Sequence, residues 1–84
     1  MKVVCLPDGF EQYVLWQFKD RAITAKINRL IEECRRHPFE GTGKPEPLRG
    51  DYSGWWSRRI DREHRLVYRV ENDSLIIIQC RYHY

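Results

Sequence analysis

Along the chain the apolar positions change period, and each change marks an element. Lys2-Val3-Val4-Cys5-Leu6 is a β-prone run that stops at Pro7, which predicts a short first strand. Phe10, Tyr13, Val14 and Gln17-Phe18 then follow helical spacing and predict a first helix over roughly Gly9 to Phe18, with Asp8 as its cap and Glu11 answering in a capping box. Trp16 lies off that stripe and is read as packing against a loop or a partner. A second helix starts from Asp20 as its cap and carries Ile23, Ile27, Leu30, Ile31 and Cys34 on one face. Arg35, Arg36 and His37 fall in its last turn, where cations complement the helix dipole, and Pro38 stops it. That role accounts for His37 without invoking a site.

From Phe39 to Gly54 the periodicity disappears. Gly41, Gly43, Pro45 and Pro47 make this an ordered loop, and the two prolines bracket Glu46 and restrict the backbone around it. A surface glutamate is ordinarily just solvated, but rigid flanks are what a working carboxylate needs. Asp51-Tyr52-Ser53-Gly54 reads as a turn into a region of period two. There Trp55-Trp56, Ser57 to Ile60, His64 to Val70, and Leu75 to Tyr84 alternate between polar turns at Asp61-Arg62-Glu63 and Glu71-Asn72-Asp73-Ser74, the pattern of an antiparallel meander. Alternation sends Trp55 and Trp56 to opposite faces, one to the core and the other free to stack on a base or on the Pro-rich loop. It assigns His64, Leu66, Tyr68 and Val70 to a helix-packed side, and Arg65, Val67 and Arg69 to an open face, with Arg81 and His83 sharing the open-face parity. The expected architecture is α+β: a short N-terminal strand, two helices, then a three-stranded antiparallel meander, in one domain over residues 1–84.

Composition adds a partner class. Hydrophobic residues at 42% and charged residues at 32% belong to a folded chain, though 84 residues is near the lower limit for a self-sufficient core. The net charge is only +3, but Ser57 to Arg69 holds five arginines against Asp61 and Glu63, a cluster suited to a polyanion. Cys5, Cys34 and Cys80 are odd in number, widely spaced and without a CxxC pair, which fits free thiols in a reducing compartment. The longest aliphatic run, Leu75 to Ile78, is too short for a bilayer, and no signal-peptide pattern opens the chain. The expectation is a soluble, cytoplasmic protein with no membrane partner.

The chemistry narrows by residue type. The histidines are scattered, no HExxH helix is present and the acids do not gather as hard-cation ligands, so no metal is expected. No nucleophile elbow or glycine fingerprint is present either, so no cofactor is expected. A carboxylate, arginines and a histidine remain, a set suited to metal-free RNA cleavage through the ribose 2′-OH. As an inventory this is weak, since most small proteins contain all three.

The wording of the motifs is more specific. Pro38-Phe39-Glu40-Gly41-Thr42-Gly43-Lys44-Pro45-Glu46-Pro47-Leu48, Ser53-Gly54-Trp55-Trp56-Ser57-Arg58-Arg59-Ile60, Glu63-His64-Arg65-Leu66-Val67-Tyr68 and Cys80-Arg81-Tyr82-His83-Tyr84 closely resemble the YoeB (Txe) toxins of the RelE-like superfamily of bacterial toxin–antitoxin ribonucleases, over essentially the whole chain. The resemblance implies an endonuclease that cuts messenger RNA in the A site of the 70S ribosome, inhibits translation and is silenced by a YefM-like antitoxin. It further implies that operator DNA is bound only as the antitoxin complex, and it leaves a homodimer open. Carried over by position, Glu46 is the general base, Arg65 the transition-state stabiliser and His83 the general acid. Tyr84 orients the substrate or the acid, and Arg59 assists at phosphate. Arg49 stands where relatives often carry lysine, so a planar fork replaces a point charge. Arg58 and Arg81 complete the cations expected to bind substrate. A reading from a different class remains: a non-catalytic RNA-binding module or antitoxin corepressor, which needs cations but neither base nor acid.

Overall fold

Pro7 and Asp20 set the helical half of the molecule. A computed structural model describes residues 1–82, so the expectations for His83 and Tyr84 lie outside the described residues. Strand β1 (Lys2–Cys5) leads into helix α1 (Pro7–Lys19), and α2 (Arg21–Arg36) follows after Asp20 alone. Proline at the first helical position needs no N–H partner and arrives with a helical φ, so α1 begins there with Leu6 as its N-cap. The capping box expected of Asp8 and Glu11 does not form, and Asp8 lies in the first turn instead. Asp20 does cap α2: its Oδ1 accepts from the Ile23 N–H at 3.1 Å.

The sheet has five strands in the order β1-β5-β4-β3-β2. Strands β3 (Trp56–Arg59), β4 (Arg65–Glu71) and β5 (Ser74–Gln79) form the expected antiparallel meander. Two pairings extend it. β1 lies parallel to β5, with Lys2 opposite Ser74 and Cys5 opposite Ile77. A strand of two residues, β2 (Glu46–Pro47), pairs antiparallel with β3 inside what the sequence reads as loop. Pro47 removes one ladder donor, which a position at the sheet edge tolerates. A turn of 3₁₀ helix, Gly50–Tyr52, then returns the chain to β3.

The core lies between the helices and one face of the sheet. Ile27, Leu30 and Cys34 from α2 meet Leu66, Tyr68, Leu75 and Ile77 from β4 and β5, all essentially inaccessible to water. Each such aliphatic side chain contributes about 2 kcal/mol on burial. The α2 stripe is the one its spacing predicts. The α1 stripe is not: Phe10 is 56% and Phe18 87% exposed, whereas Trp16 is 5% exposed and belongs to the core. The buried face of α1 runs through Gly9, Gln12 and Trp16, because the helix approaches β5 too closely for a larger residue at Gly9. A Cβ there would sit 2.9 Å from the Ile77 carbonyl oxygen.

The last strand is shorter than expected. β5 ends at Gln79, and the next backbone groups are taken by side chains rather than by a ladder. Gln12 Oε1 accepts from the Cys80 N–H at 2.8 Å, and Trp16 Nε1 donates to the Cys80 carbonyl at 2.9 Å. A bulge between Val67 and Tyr68 also shifts the register against β5. Cys80 to Tyr82 therefore do not keep the parity that simple alternation assigns.

Candidate active site

Directly paired residues in a ladder share one face of the sheet, and so do residues two apart on a strand. Glu46 pairs with Ser57, Ser57 with Val67, and Val67 with Gln79, which makes one row across four strands on the face away from the helices. Arg59 pairs with Arg65 in the next row of that face. Strand spacing and rise place the Glu46 Cα about 8 Å from that of Arg59 and about 12 Å from that of Arg65. Long guanidinium side chains span such gaps to a phosphate held between them. Pairing thus brings together Glu46, Arg59 and Arg65, residues from three separate segments.

Each is held differently. Glu46 is exposed, between two prolines, beside a cleft of about 350 Å³ lined with Pro47, Leu48 and Arg49. Leu48 is buried, and its N–H donates to the Trp55 carbonyl at 2.9 Å, which anchors the strand that carries Glu46. Arg65 is partly buried; its Nη1 donates to the carbonyls of Asp61 at 3.0 Å and His64 at 3.1 Å, and this fixes the plane of the guanidinium. Asp61 in turn caps its own turn, accepting from the N–H groups of Glu63 at 2.9 Å and His64 at 2.7 Å. Partial burial pushes the Asp61 carboxyl up, but those two N–H groups, with the Arg65 cation beside them, outweigh it and hold it below the ordinary value. Arg59 is exposed, and its N–H donates to the Gly43 carbonyl at 2.6 Å.

Two of the expected substrate cations are elsewhere. Arg58 is fully buried on the helix side. Its Nη1 meets Glu33 Oε1 at 2.9 Å and the Thr42 carbonyl at 3.0 Å, Nη2 donates to the carbonyls of His37 and Glu40, and Nε donates to Tyr68 Oη at 3.1 Å. Tyr68 Oη in turn donates to the Pro38 carbonyl at 2.6 Å. Arg58 therefore folds the segment from α2 to β2 and does not face a ligand. The signal was present: Arg58 alternates with Trp56 and Ile60, both of which turn to the core. Arg81 is likewise off the open face, because the chain has left the sheet by then. Its guanidinium lies 5.7 Å from the Trp16 ring and 4.7 Å from the Tyr82 ring, beside Asp8, Glu11 and Gln12 of α1.

The two tryptophans separate as alternation requires. Trp56 packs on Phe39 at 4.8 Å and against the core, while Trp55 receives the Arg69 guanidinium at 5.4 Å. Trp55 thus already carries a cation on its face.

His64 is a residue whose role the sequence does not announce. It is 7% exposed and stands edge-on to Trp16 at 4.8 Å. Its Nδ1 accepts from the Tyr82 N–H at 2.7 Å, and the Tyr82 carbonyl accepts from the Arg65 N–H at 3.1 Å. Tyr82 has a φ of 63°, a left-handed conformation that costs a non-glycine residue about 1 kcal/mol and that these two bonds offset. Among the described residues no group of three or more His, Cys, Asp or Glu is placed to hold a metal ion. No helix among them is long and apolar enough to cross a membrane.

Comparison with known proteins decides the family. Residues 6–84 match the model of the YoeB-like toxin of bacterial type II toxin–antitoxin systems. This chain belongs to that family. The toxin YoeB of Streptomyces coelicolor is 56% identical over 84 residues, which is 100% of this chain and of that one. A YoeB/ParE toxin from Agrobacterium tumefaciens has the same structure with a TM-score of 0.97, at 51% identity and 100% coverage of both chains. YoeB from Staphylococcus aureus, solved as a dimer, has a TM-score of 0.92 at 41% identity, covering 100% of this chain and 98% of that one. The Staphylococcus aureus protein is also solved as a YoeB–YefM complex. The YoeB-like α+β frame is thus the frame that places Glu46, Arg59 and Arg65 on one face.

Proposed function

We propose that this chain is a ribosome-dependent endoribonuclease that cuts messenger RNA in the A site and so inhibits translation in the cytoplasm. The observation that carries this reading is the ladder that sets Glu46 on the same sheet face as Arg59 and Arg65. A grip for RNA needs the two cations alone. A proton acceptor held rigidly across from them is what cleavage needs.

In the proposed reaction the Glu46 carboxylate takes the proton from a ribose 2′-OH. The freed oxygen attacks the adjacent phosphorus, and Arg65, with Arg59, neutralises the charge that accumulates on the pentacoordinate phosphorane. His83 then gives its proton to the departing 5′ oxygen, with Tyr84 orienting the substrate or the acid. The products are a 2′,3′-cyclic phosphate and a free 5′-OH, and no step draws on a metal or a cofactor. Arg49, beside the cleft at Glu46, contributes a further phosphate contact.

The partners follow from the family. A YefM-like antitoxin is proposed to silence the toxin and to join it on operator DNA, as a YefM partner is found with YoeB from Staphylococcus aureus. A homodimer is proposed on the same ground, that relative having been solved as one. The testing experiment is primer-extension mapping on messenger RNA bound to programmed 70S ribosomes. The native chain is expected to cut in the A site, and Glu46→Ala, Arg65→Ala and His83→Ala variants to cut far more slowly. A folded native chain that binds ribosomes and cuts nothing would favour the binding module instead.

A further inference from the structure

We infer that His64 is a positioning residue for the proposed cleavage, holding through its Nδ1 atom the peptide from which the His83–Tyr84 pair continues. The inference rests on the ribonuclease reading for its kinetic consequence, but the bond itself stands apart from that reading.

Once the chain leaves β5 at Gln79, the N–H groups of Cys80 and Tyr82 go to side-chain acceptors rather than to a ladder. The Tyr82 N–H is met by the ring nitrogen of His64 at 2.7 Å. A nitrogen that accepts carries no proton, so the ring is neutral with its proton on Nε2. Nε2 faces the Glu63 carboxylate at 3.6 Å, a neighbour that suits a donor there. The ring has little freedom to turn: Trp16 meets it edge-on at 4.8 Å, and Tyr82 packs beside it at 5.8 Å.

The same turn fixes Arg65. The His64 carbonyl accepts from Arg65 Nη1 at 3.1 Å, and the Arg65 N–H returns the contact to the Tyr82 carbonyl at 3.1 Å. Residue 64 therefore touches both halves of the proposed chemistry. Its carbonyl aims the cation that stabilises the phosphorane, and its ring pins the residue next to the general acid. The charged groups around it are Glu63 at Nε2, Asp61 on its backbone N–H, Arg65 next in the chain and Arg81 stacked on Tyr82. Losing the ring nitrogen frees Tyr82 from its left-handed turn and lets the acid drift. A displacement of an ångström at a catalytic group lowers turnover by about 100-fold.

The test uses the full chain and two substitutions. Asparagine at this position offers an acceptor oxygen close to where Nδ1 lies, whereas leucine fills space and accepts nothing. On programmed ribosomes His64→Leu is expected to lower kcat by about 100-fold with KM little changed, and His64→Asn to recover most of the loss. Nitrogen-15 spectra of the native protein are expected to show the His64 signal, assigned by its absence in His64→Asn, as an unprotonated Nδ1. An Asn variant no better than a folded Leu variant would overturn the proposal, and so would a protonated Nδ1. Should His64→Leu fail to fold, the Asn variant and the spectrum decide the matter. A native chain that cuts nothing defeats the ribonuclease reading, and with it the kinetic role of His64, while the spectrum still judges the bond to Tyr82.

Discussion

Arg58 Nη1 lies 2.9 Å from Glu33 Oε1, joining the middle of β3 to the last turns of α2. Around this pair the segment from His37 to Thr42 offers its carbonyls to the guanidinium, so one buried cation organises the approach to the strand that bears Glu46. Removing it takes a donor from the carbonyls of His37, Glu40 and Thr42 and leaves the Glu33 carboxylate without its cation. Arg58→Leu is therefore expected to destabilise the protein by about 3 kcal/mol, measured as the change in urea-unfolding free energy. Arg58→Lys is expected to recover little, since a single ammonium does not reproduce the fork.

The same pair gives stability an acid limb. The Thr42 N–H, first, and then Arg58 hold the Glu33 carboxyl below its ordinary value of 4.5. The unfolded chain therefore takes up this proton at a higher pH than the folded one. The stabilisation is complete above that ordinary value and is lost as pH falls through the folded value beneath it. Urea midpoints measured downward from about pH 6 should stay level and then drop below about pH 4.5. In Glu33→Gln the part of that drop due to residue 33 should vanish.

Glu46 offers a cleaner separation of stability from activity. It is exposed at the sheet edge, so Glu46→Gln should change unfolding free energy by no more than about 0.5 kcal/mol. As proposed general base, its loss should slow A-site cleavage by about 10²- to 10⁴-fold in primer-extension time courses. A variant that melts like the native protein and still cuts at the native rate would remove Glu46 from the mechanism.

Gly9 tests the contact between α1 and β5. Gly9→Ala places a methyl group 2.9 Å from the Ile77 carbonyl oxygen and 3.0 Å from the Ile78 carbonyl carbon, both backbone atoms rather than flexible side chain. Alanine normally favours helix, yet here a loss of about 1–3 kcal/mol is expected, read from thermal unfolding.

Those contrasts show what the sequence could carry. The α2 stripe is legible because Ile27, Leu30 and Cys34 are all apolar and Asp20 and Pro38 bound the helix at each end. The α1 face is misread because closeness decided it: Gly9 and Gln12 face inward for lack of bulk and for a hydrogen bond, while Phe10 and Phe18 stay outside. β2 has no periodicity to detect in two residues, so the Glu46–Ser57 pairing that assembles the site emerges only in three dimensions. The grouping of Arg59 with Arg65 was within reach, since hairpin parity fixes it. The charge of Arg58 suggests an outward side chain, whereas its parity with Trp56 and Ile60 points inward, and the carbonyls of His37 and Glu40 and the Glu33 carboxylate are what receive it. The bend that carries Arg81 to Trp16 depends on a bulge and on side-chain acceptors, neither of which alternation can express.

The parallel pairing of β1 with β5 has a consequence for synthesis. Val3 finds its partner Leu75 only after the intervening chain has been made, so the first strand emerges from the ribosome long before its neighbour exists. The helices can form early from local contacts, but the parallel edge of the sheet cannot close until β5 has been made. A nascent copy thus leaves the pairing edge of β1 open until the strand that covers it has been made.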